Sequence, residues 1–231
     1  NLLESLLSHW ESLSSSRKDS FRFIHISTDE VFGSLGPIGL FSENSPYKPS
    51  SPYSATKAAS DHLVRSWFQT YGLPTIITNS SNNFGAWQLP EKFIPVIILN
   101  AMSKKNIPIY GDGKHIRDWI YVEDHIDALI KVALKGSLGH SYCIGGSQEK
   151  SNEEIVELIC ELLDFHNKSN APHKRFKAFV KDRPGHDRRY AIDNKKIIKE
   201  LNWFPKHDFS KAMLFTVKWY LSNLDWCKKY S

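Results

Sequence analysis

Phe23-Ile-His-Ile-Ser-Thr-Asp-Glu-Val-Phe-Gly33 reads as a buried apolar strand running straight into a hydroxyl and two adjacent carboxylic acids. Further along, Tyr53-Ser-Ala-Thr-Lys57 sets a phenol and an amine at i and i+4, on one face of a helix. Together these groups can take a proton from an alcohol, donate one proton and remove another. A phenol ordinarily ionises near pH ~10, too high for a base at neutral pH, so Lys57 is expected to draw the Tyr53 pKa down. A regular strand would point Asp29 and Glu30 to opposite faces. The chain is therefore expected to leave strand geometry at Thr28, letting both carboxyls reach one substrate. Tyr-x-x-x-Lys alone is common on helix surfaces; the strand and acid pair ahead of it give it weight.

Outward from this pair, strands alternate with helices. Leu2, Leu3, Leu6, Leu7, Trp10 and Leu13 recur at three-and-four spacing, an amphipathic helix over residues 2–13. A polar loop over 14–20 leads to the strand at 21–27, and a loop rich in Gly, Pro, Ser and Asn extends to residue 52. The Tyr53 helix is expected to run to residue 71 and stop at Gly72 and Pro74. A strand at 74–78, a loop at 79–90, a helix at 91–105, a strand at 107–110 and a helix at 122–134 follow. Residues 141–144 read as a strand, and Ser151-Asn-Glu-Glu154 opens a helix to about residue 165 with a capping box. A short strand from Lys177, a basic loop, and helices near 193–201 and 209–224 complete the order. This alternation predicts an α/β protein built on a parallel sheet.

Composition narrows the function classes. A hydrophobic fraction of 41% with 13% aromatics in 231 residues suits a globular fold with a real core. No apolar run is long enough to span a membrane, and residues 1–8 carry an acid and no basic leader, unlike a signal peptide. Cys143, Cys160 and Cys227 are odd in number and far apart, which argues against a disulfide frame and for a reducing, cytoplasmic setting. The ten histidines show no paired ligand spacing, so no metal is expected. Thirty basic against 25 acidic residues give a net charge of +5. The one dense basic cluster, Lys181 to Arg189, is interrupted by acids and Pro-Gly. That pattern suits a small anionic ligand such as a diphosphate better than nucleic acid.

Three further stretches follow in order: Asn82-Asn83-Phe84-Gly85, Tyr110 to Asp124 (YGDGKHIRDWIYVED), and Asp182 to Tyr190 (DRPGHDRRY). With Thr28-Asp29-Glu30 and the Tyr53/Lys57 helix, the chain resembles the extended short-chain dehydrogenase/reductase family over nearly its whole length. The adjacent acid pair points within it to the nucleotide-sugar 4,6-dehydratases that act on dTDP-glucose in deoxysugar and cell-surface polysaccharide synthesis. The resemblance implies NAD as cofactor and the following roles. Tyr53, helped by Lys57 and Thr28, takes the 4-hydroxyl proton while hydride passes to NAD. Glu30 removes the proton from carbon 5 and Asp29 protonates the departing 6-hydroxyl. Ser27, Tyr53, Lys57 and Asn83 touch the cofactor. Asn82, Lys92, Phe93, Pro108, Ile109, Tyr110, Arg117, Asn152, Asp182, Arg183, Pro184, Gly185 and His186 form the sugar-nucleotide pocket, with Arg117 and Arg183 as diphosphate clamps, a task for a planar fork. The alternative reading of Arg117 is a surface residue paired to Asp118 or Glu123, and that of Asn152 is a helix cap. Trp119, Tyr121, Trp203, Trp219 and Tyr220 read as core or interface.

The resemblance also implies a fold: a Rossmann-like doubly wound sheet with a smaller C-terminal α/β substrate lobe. Residues 1–90 would be the C-terminal half of the NAD-binding domain, and 91–231 mainly the sugar-nucleotide lobe, with some later segments returning to the first. The family's opening Gly-x-x-Gly-x-x-Gly turn is not found; Gly33, Gly36 and Gly39 sit in a Pro-containing loop and do not replace it. The expectation is a chain lacking the first strand–helix units, roughly 100 residues at about 30 per unit. A homodimer through residues 2–13 and 53–71 is implied. A 4-epimerase or decarboxylase of the same fold, and a non-catalytic binding fragment, remain the alternatives.

Overall fold

A computed structural model describes residues 1–230. The first helix, α1 (Leu2–Ser12), buries none of its residues fully. A second, α2 (Ser15–Ser20), replaces the polar loop expected there. Extended Ser14 starts it, and Arg17 and Lys18 in its last turn oppose the helix dipole favourably. Strand β1 (Phe23–Thr28) carries the quoted stretch. It breaks into a 3-10 turn over Asp29–Phe32, so extended geometry ends at Asp29, one residue later than expected. Thr28 is still extended, and its Oγ1 accepts from Glu30 N at 3.2 Å, closing the turn.

Helix α3 (Pro52–Tyr71) begins with a capping box between Ser51 and Ser54 and ends on Gly72 at φ +70°, a left-handed conformation that glycine adopts without penalty. Strand β2 (Thr75–Ser80) is buried along its whole length. The expected loop at 79–90 instead contains strand β3 (Asn82–Phe84). Helix α4 (Phe93–Met102) is shorter at both ends than its apolar run suggested. Strand β4 (Ile107–Tyr110) precedes β5 (Ile116–Tyr121), which local pattern alone did not single out. Helix α5 (Val122–Lys135), strand β6 (Ser141–Ile144) and strand β7 (Glu149–Ser151) follow. Helix α6 (Asn152–His166) shows the expected capping box, Ser151 Oγ accepting from Glu154 N and Glu154 Oε2 from Ser151 N. Strand β8 (Lys177–Val180) and helices α7 (Lys195–Leu201), α8 (Phe209–Ser222) and α9 (Leu224–Lys229) complete the chain, the last not expected.

Strands β1, β2 and β6 form one parallel sheet with β2 central. Strand β3 pairs parallel with β5, which pairs antiparallel with β7, and β4 pairs parallel with β8. One apolar core lies among α4, α6 and α8; another packs Ile76, Ile144, Val132 and Trp203 around the first sheet. Among the described residues no helix is long and apolar enough to cross a membrane. All three cysteines are buried.

A buried polar knot joins the first sheet to α3. Asp61 is fully buried, and its Oδ2 accepts from Ser27 Oγ (2.9 Å), Tyr47 Oη (2.8 Å) and Asn79 Nδ2 (3.1 Å). His25 Nε2 lies 3.0 Å from Oδ1. Burial alone would raise the Asp61 pKa, but these donors outweigh it and hold the carboxyl below its ordinary range. Replacing Asp61 with alanine strands several buried donors. Asp61→Ala should therefore lose on the order of 3 kcal/mol in urea denaturation.

His125 sits buried on α5 against Ser80 Oγ at 2.7 Å, and burial depresses its pKa to about 4. The folded state then resists the proton that the unfolded chain accepts near pH ~6.5, so stability falls as pH drops from there toward about 4. The full penalty is about 3 kcal/mol. A His125→Gln variant should show a flatter stability profile across that window.

Candidate active site

The turn at Asp29, the N-terminal end of α3, strand β3 and the loop after β8 converge on one cavity of about 520 Å³. Glu30 and Tyr53 stand on its wall together with Asn82, Asn83, Lys92, Phe93, Arg117 and the run Arg183 to His186. These residues come from six separated stretches of the chain. The β1–β2 register, with Ser27 beside Asn79 and Thr28 beside Ser80, brings the strand ends together.

The two acids occupy different environments. Asp29 is 2% exposed and lies off the cavity wall, with Oδ2 buried and unpartnered. Burial, then the charges of Glu30 and Asp118, push its pKa well above the ordinary carboxylate value against a smaller pull from Arg117. Glu30 is on the wall and half-buried; burial raises it too, with Arg117 and Arg183 opposing. Two settings thus shift adjacent acids to different extents, the buried Asp29 more strongly than Glu30.

Tyr53 is 55% exposed, and burial, then Glu30 and Asp29, raise its pKa. This corrects the expected lowering by Lys57. The Lys57 ammonium instead donates to the Ile26 carbonyl at 2.7 Å, tying α3 to β1. Thr28 Oγ1 donates to Asp29 Oδ1 at 3.3 Å.

Arg117 is 7% exposed and not paired to Asp118 or Glu123. Its guanidinium stacks over the Tyr190 ring at 4.4 Å and donates to the carbonyls of Ile116 and Asp187, both at 2.8 Å. Arg183 stacks over Tyr110 at 4.9 Å. Its Nη2 lies 3.1 Å from His186 Nε2, and since a guanidinium only donates, that nitrogen must accept. His186 Nδ1 therefore carries the proton and gives it to Asp182 Oδ1 at 2.7 Å. His115, Asp182 and His186 are close enough to suggest a metal group, but His186 Nδ1 has no lone pair left for a cation.

Several expected residues are not brought to the cavity wall. The Ser27 hydroxyl is engaged by Asp61 rather than facing a cofactor. Ile109 is fully buried in the α4/α6 core, so its side chain cannot touch a nucleotide. Pro108 and Tyr110 lie on the same strand off the wall, although Tyr110 supports Arg183. Asn152 is buried at the first position of α6, its backbone N–H donating to His115 O at 2.9 Å. Asp182 holds the Arg183 N–H and His186 from below. Conversely, Ser51, Gln88, Ile94, Trp119, Asp187 and Tyr190 line the cavity unannounced. Trp119 is the buried core residue its pattern suggested, yet its edge reaches the wall. Asp187 and Tyr190 could have been found from their place in the basic loop; Gln88 offers no local signal.

A family model described as GDP-mannose 4,6 dehydratase matches residues 1–214. The dTDP-glucose 4,6-dehydratase of Xanthomonas campestris pv. campestris (strain B100) is 51% identical over 227 residues, covering 97% of this chain and 65% of its own length. The dTDP-glucose 4,6-dehydratase 1 of Escherichia coli (strain K12) is 52% identical over 234 residues, covering 97% and 65%. The crystal structure of dTDP-glucose 4,6-dehydratase from Bacillus anthracis str. Ames in complex with NAD superposes with a TM-score of 0.87 at 41% identity, over 99% of this chain and 69% of that one. The chain thus spans 65% of the length of these two curated relatives.

Spectrophotometric titration against a Tyr53→Phe control should place the Tyr53 ionisation above the ordinary tyrosine value, and Glu30→Gln should bring it down. An ionisation below that value would contradict the electrostatics described.

Proposed function

The chain belongs to the GDP-mannose 4,6 dehydratase family, and on that footing we propose that it carries the chemistry of a nucleotide-sugar 4,6-dehydratase acting on dTDP-glucose with NAD. The observation that carries this reading is Glu30 and Tyr53 sharing one cavity with Arg117 and Arg183, while burial raises the pKa of the adjacent Asp29 well above the ordinary carboxylate value. The names of the curated relatives support dTDP-glucose as the substrate. Within this reading, residues 1–90 are the cofactor-side unit and 91–231 mainly the sugar-nucleotide lobe, with β6, which pairs with β2, assigned to the first unit.

The residues fit the nicotinamide end of NAD. Asn83, which lines the same cavity as Tyr53, carries a buried, unpartnered carboxamide oxygen. When bound, NAD would accept a hydride from carbon 4 of the glucose and return it to carbon 6, and its cationic ring would offset the acids that raise Tyr53. Tyr53 takes the proton of the 4-hydroxyl. Oxidation there acidifies carbon 5, whose proton Glu30 removes as the ionised acid and gives back to carbon 5 when the hydride reaches carbon 6. Asp29 gives its proton to the 6-hydroxyl, which departs as water across carbons 5 and 6. That step requires the Asp29 carboxyl to turn toward the cavity from its buried position. Arg117 and Arg183 would hold the diphosphate, as rigid forks preset by the Tyr190 and Tyr110 rings.

A homodimer through α1 and α3 belongs to the same reading. Leu2 (66%) and Leu63 (51%) on these helices stand exposed. A cytoplasmic setting goes with it, consistent with three buried cysteines outside any disulfide frame.

Mixing the chain with dTDP-glucose and NAD should generate the 4-keto-sugar absorbance. Glu30→Gln should cut water loss by about 10²-fold or more while oxidation at carbon 4 stays measurable. With raised pKa values on both acids, the rate should fall at low pH as Glu30 gains a proton and at high pH as Asp29 loses its own. No product from the unmodified chain would contradict the proposal, and a Glu30→Gln variant of full activity would favour an epimerase.

A further inference from the structure

The connection between β3 and α4 is built to hold one side chain against the cavity. Gly85 sits at φ +148°, and a Cβ there would fall 2.5 Å from Val122 Cγ1, so the turn needs glycine. Trp87 takes φ +65°, a left-handed conformation costly for a bulky residue. It is 64% exposed, and its indole rests on Trp219 (4.8 Å) and Trp226 (5.4 Å) from α8 and α9. Those contacts fix the turn from outside. From the core side, Tyr220 Oη donates to the Gln88 carbonyl at 2.5 Å.

Gln88, next in the chain, is thereby anchored through its backbone and lines the cavity. Its Nε2 donates to the Asn83 carbonyl at 3.0 Å. A carbonyl can only accept, so the amide orientation is set, with the NH₂ toward Asn83 and Oε1 turned the other way. Oε1 is buried and makes no hydrogen bond. The Oδ1 atoms of Asn82 and Asn83, on the same lining, are buried and unpartnered as well. Each unpaired buried acceptor costs about 1–3 kcal/mol. Three residues of one cavity lining thus each carry an unpaired acceptor oxygen, a set that suits a ligand rich in donors.

We propose that Gln88 is a binding residue of this site, its Oε1 accepting a hydrogen bond from a donor group of the bound nucleotide sugar. The donor is either a hydroxyl of the hexose or an N–H of the base. This inference rests on the functional reading above, and it adds a specificity contact that sequence pattern did not mark. Gln88 acts on recognition and takes no part in proton transfer.

Calorimetry with the unmodified chain and a Gln88→Met variant decides it, using dTDP and dTDP-glucose as separate ligands. Gln88→Met should bind dTDP-glucose about tenfold more weakly at an unchanged melting temperature. Equal weakening for dTDP assigns the donor to the nucleoside; weakening for dTDP-glucose alone assigns it to the hexose. The corresponding ligand without that donor, N3-methylated on the base or deoxygenated on the sugar, should then bind both proteins alike. Affinity within about twofold of the unmodified chain overturns the proposal. So does a loss that persists with donor-free ligands, because it would mean that Gln88 acts only by bracing Asn83. If the unmodified chain binds neither ligand, the functional reading falls first and this inference with it.

Discussion

The Asp61 carboxylate is the constraint on which the site depends. It is fully buried, yet it reaches strand β1 through Ser27, strand β2 through Asn79 and the connecting loop through Tyr47. Asn79 Nδ2 also donates to the Thr28 carbonyl at 3.2 Å, clamping the backbone just before the acid pair. Tyr53 lies on the same helix as Asp61, about two turns earlier. One buried anion thus sets the distance between the strand that ends in Asp29 and Glu30 and the helix that carries the phenol. Polar contacts buried this deeply favour one geometry over its alternatives. The proposed chemistry needs a single geometry of this kind, with Tyr53, Glu30 and Asp29 near one substrate.

The second constraint is electrostatic. Adjacent carboxyls in water would ionise together, but the 3-10 turn buries one and leaves the other on the cavity wall. Arg117 moderates both, and it is itself held by carbonyls and the face of Tyr190 rather than by a carboxylate, so its charge remains directed at the cavity. A guanidinium paired to Asp118 would have been neutralised locally and of little use to an anionic ligand.

Much of this was legible because it is local. The capping box at Ser151, the Gly72 stop and the apolar strand before the acids are decided within a few residues, and the structure has them where the pattern puts them. The short strands β3 and β5 escaped because their pairing with each other, across a long sequence separation, makes them strands at all. The site shows the same division. Glu30, Tyr53, Arg117 and Arg183 follow from residue type and spacing. The Ile109 side chain is buried because β4 packs beneath α4 and α6, a fact of tertiary packing. The Tyr53 shift runs opposite to what i and i+4 proximity suggests, because the Ile26 carbonyl takes the lysine while burial and the two acids govern the phenol. Gln88 is set in place by a strained turn and two distant helices, which no window of sequence contains.

A crystal structure of the chain with dTDP-glucose bound tests the central claim most directly. The hexose should lie against Tyr53 and Glu30, with Asp29 within reach of carbon 6 and the diphosphate between the guanidinium groups of Arg117 and Arg183. A hexose seated away from the acid pair, or a diphosphate touching neither arginine, would contradict it.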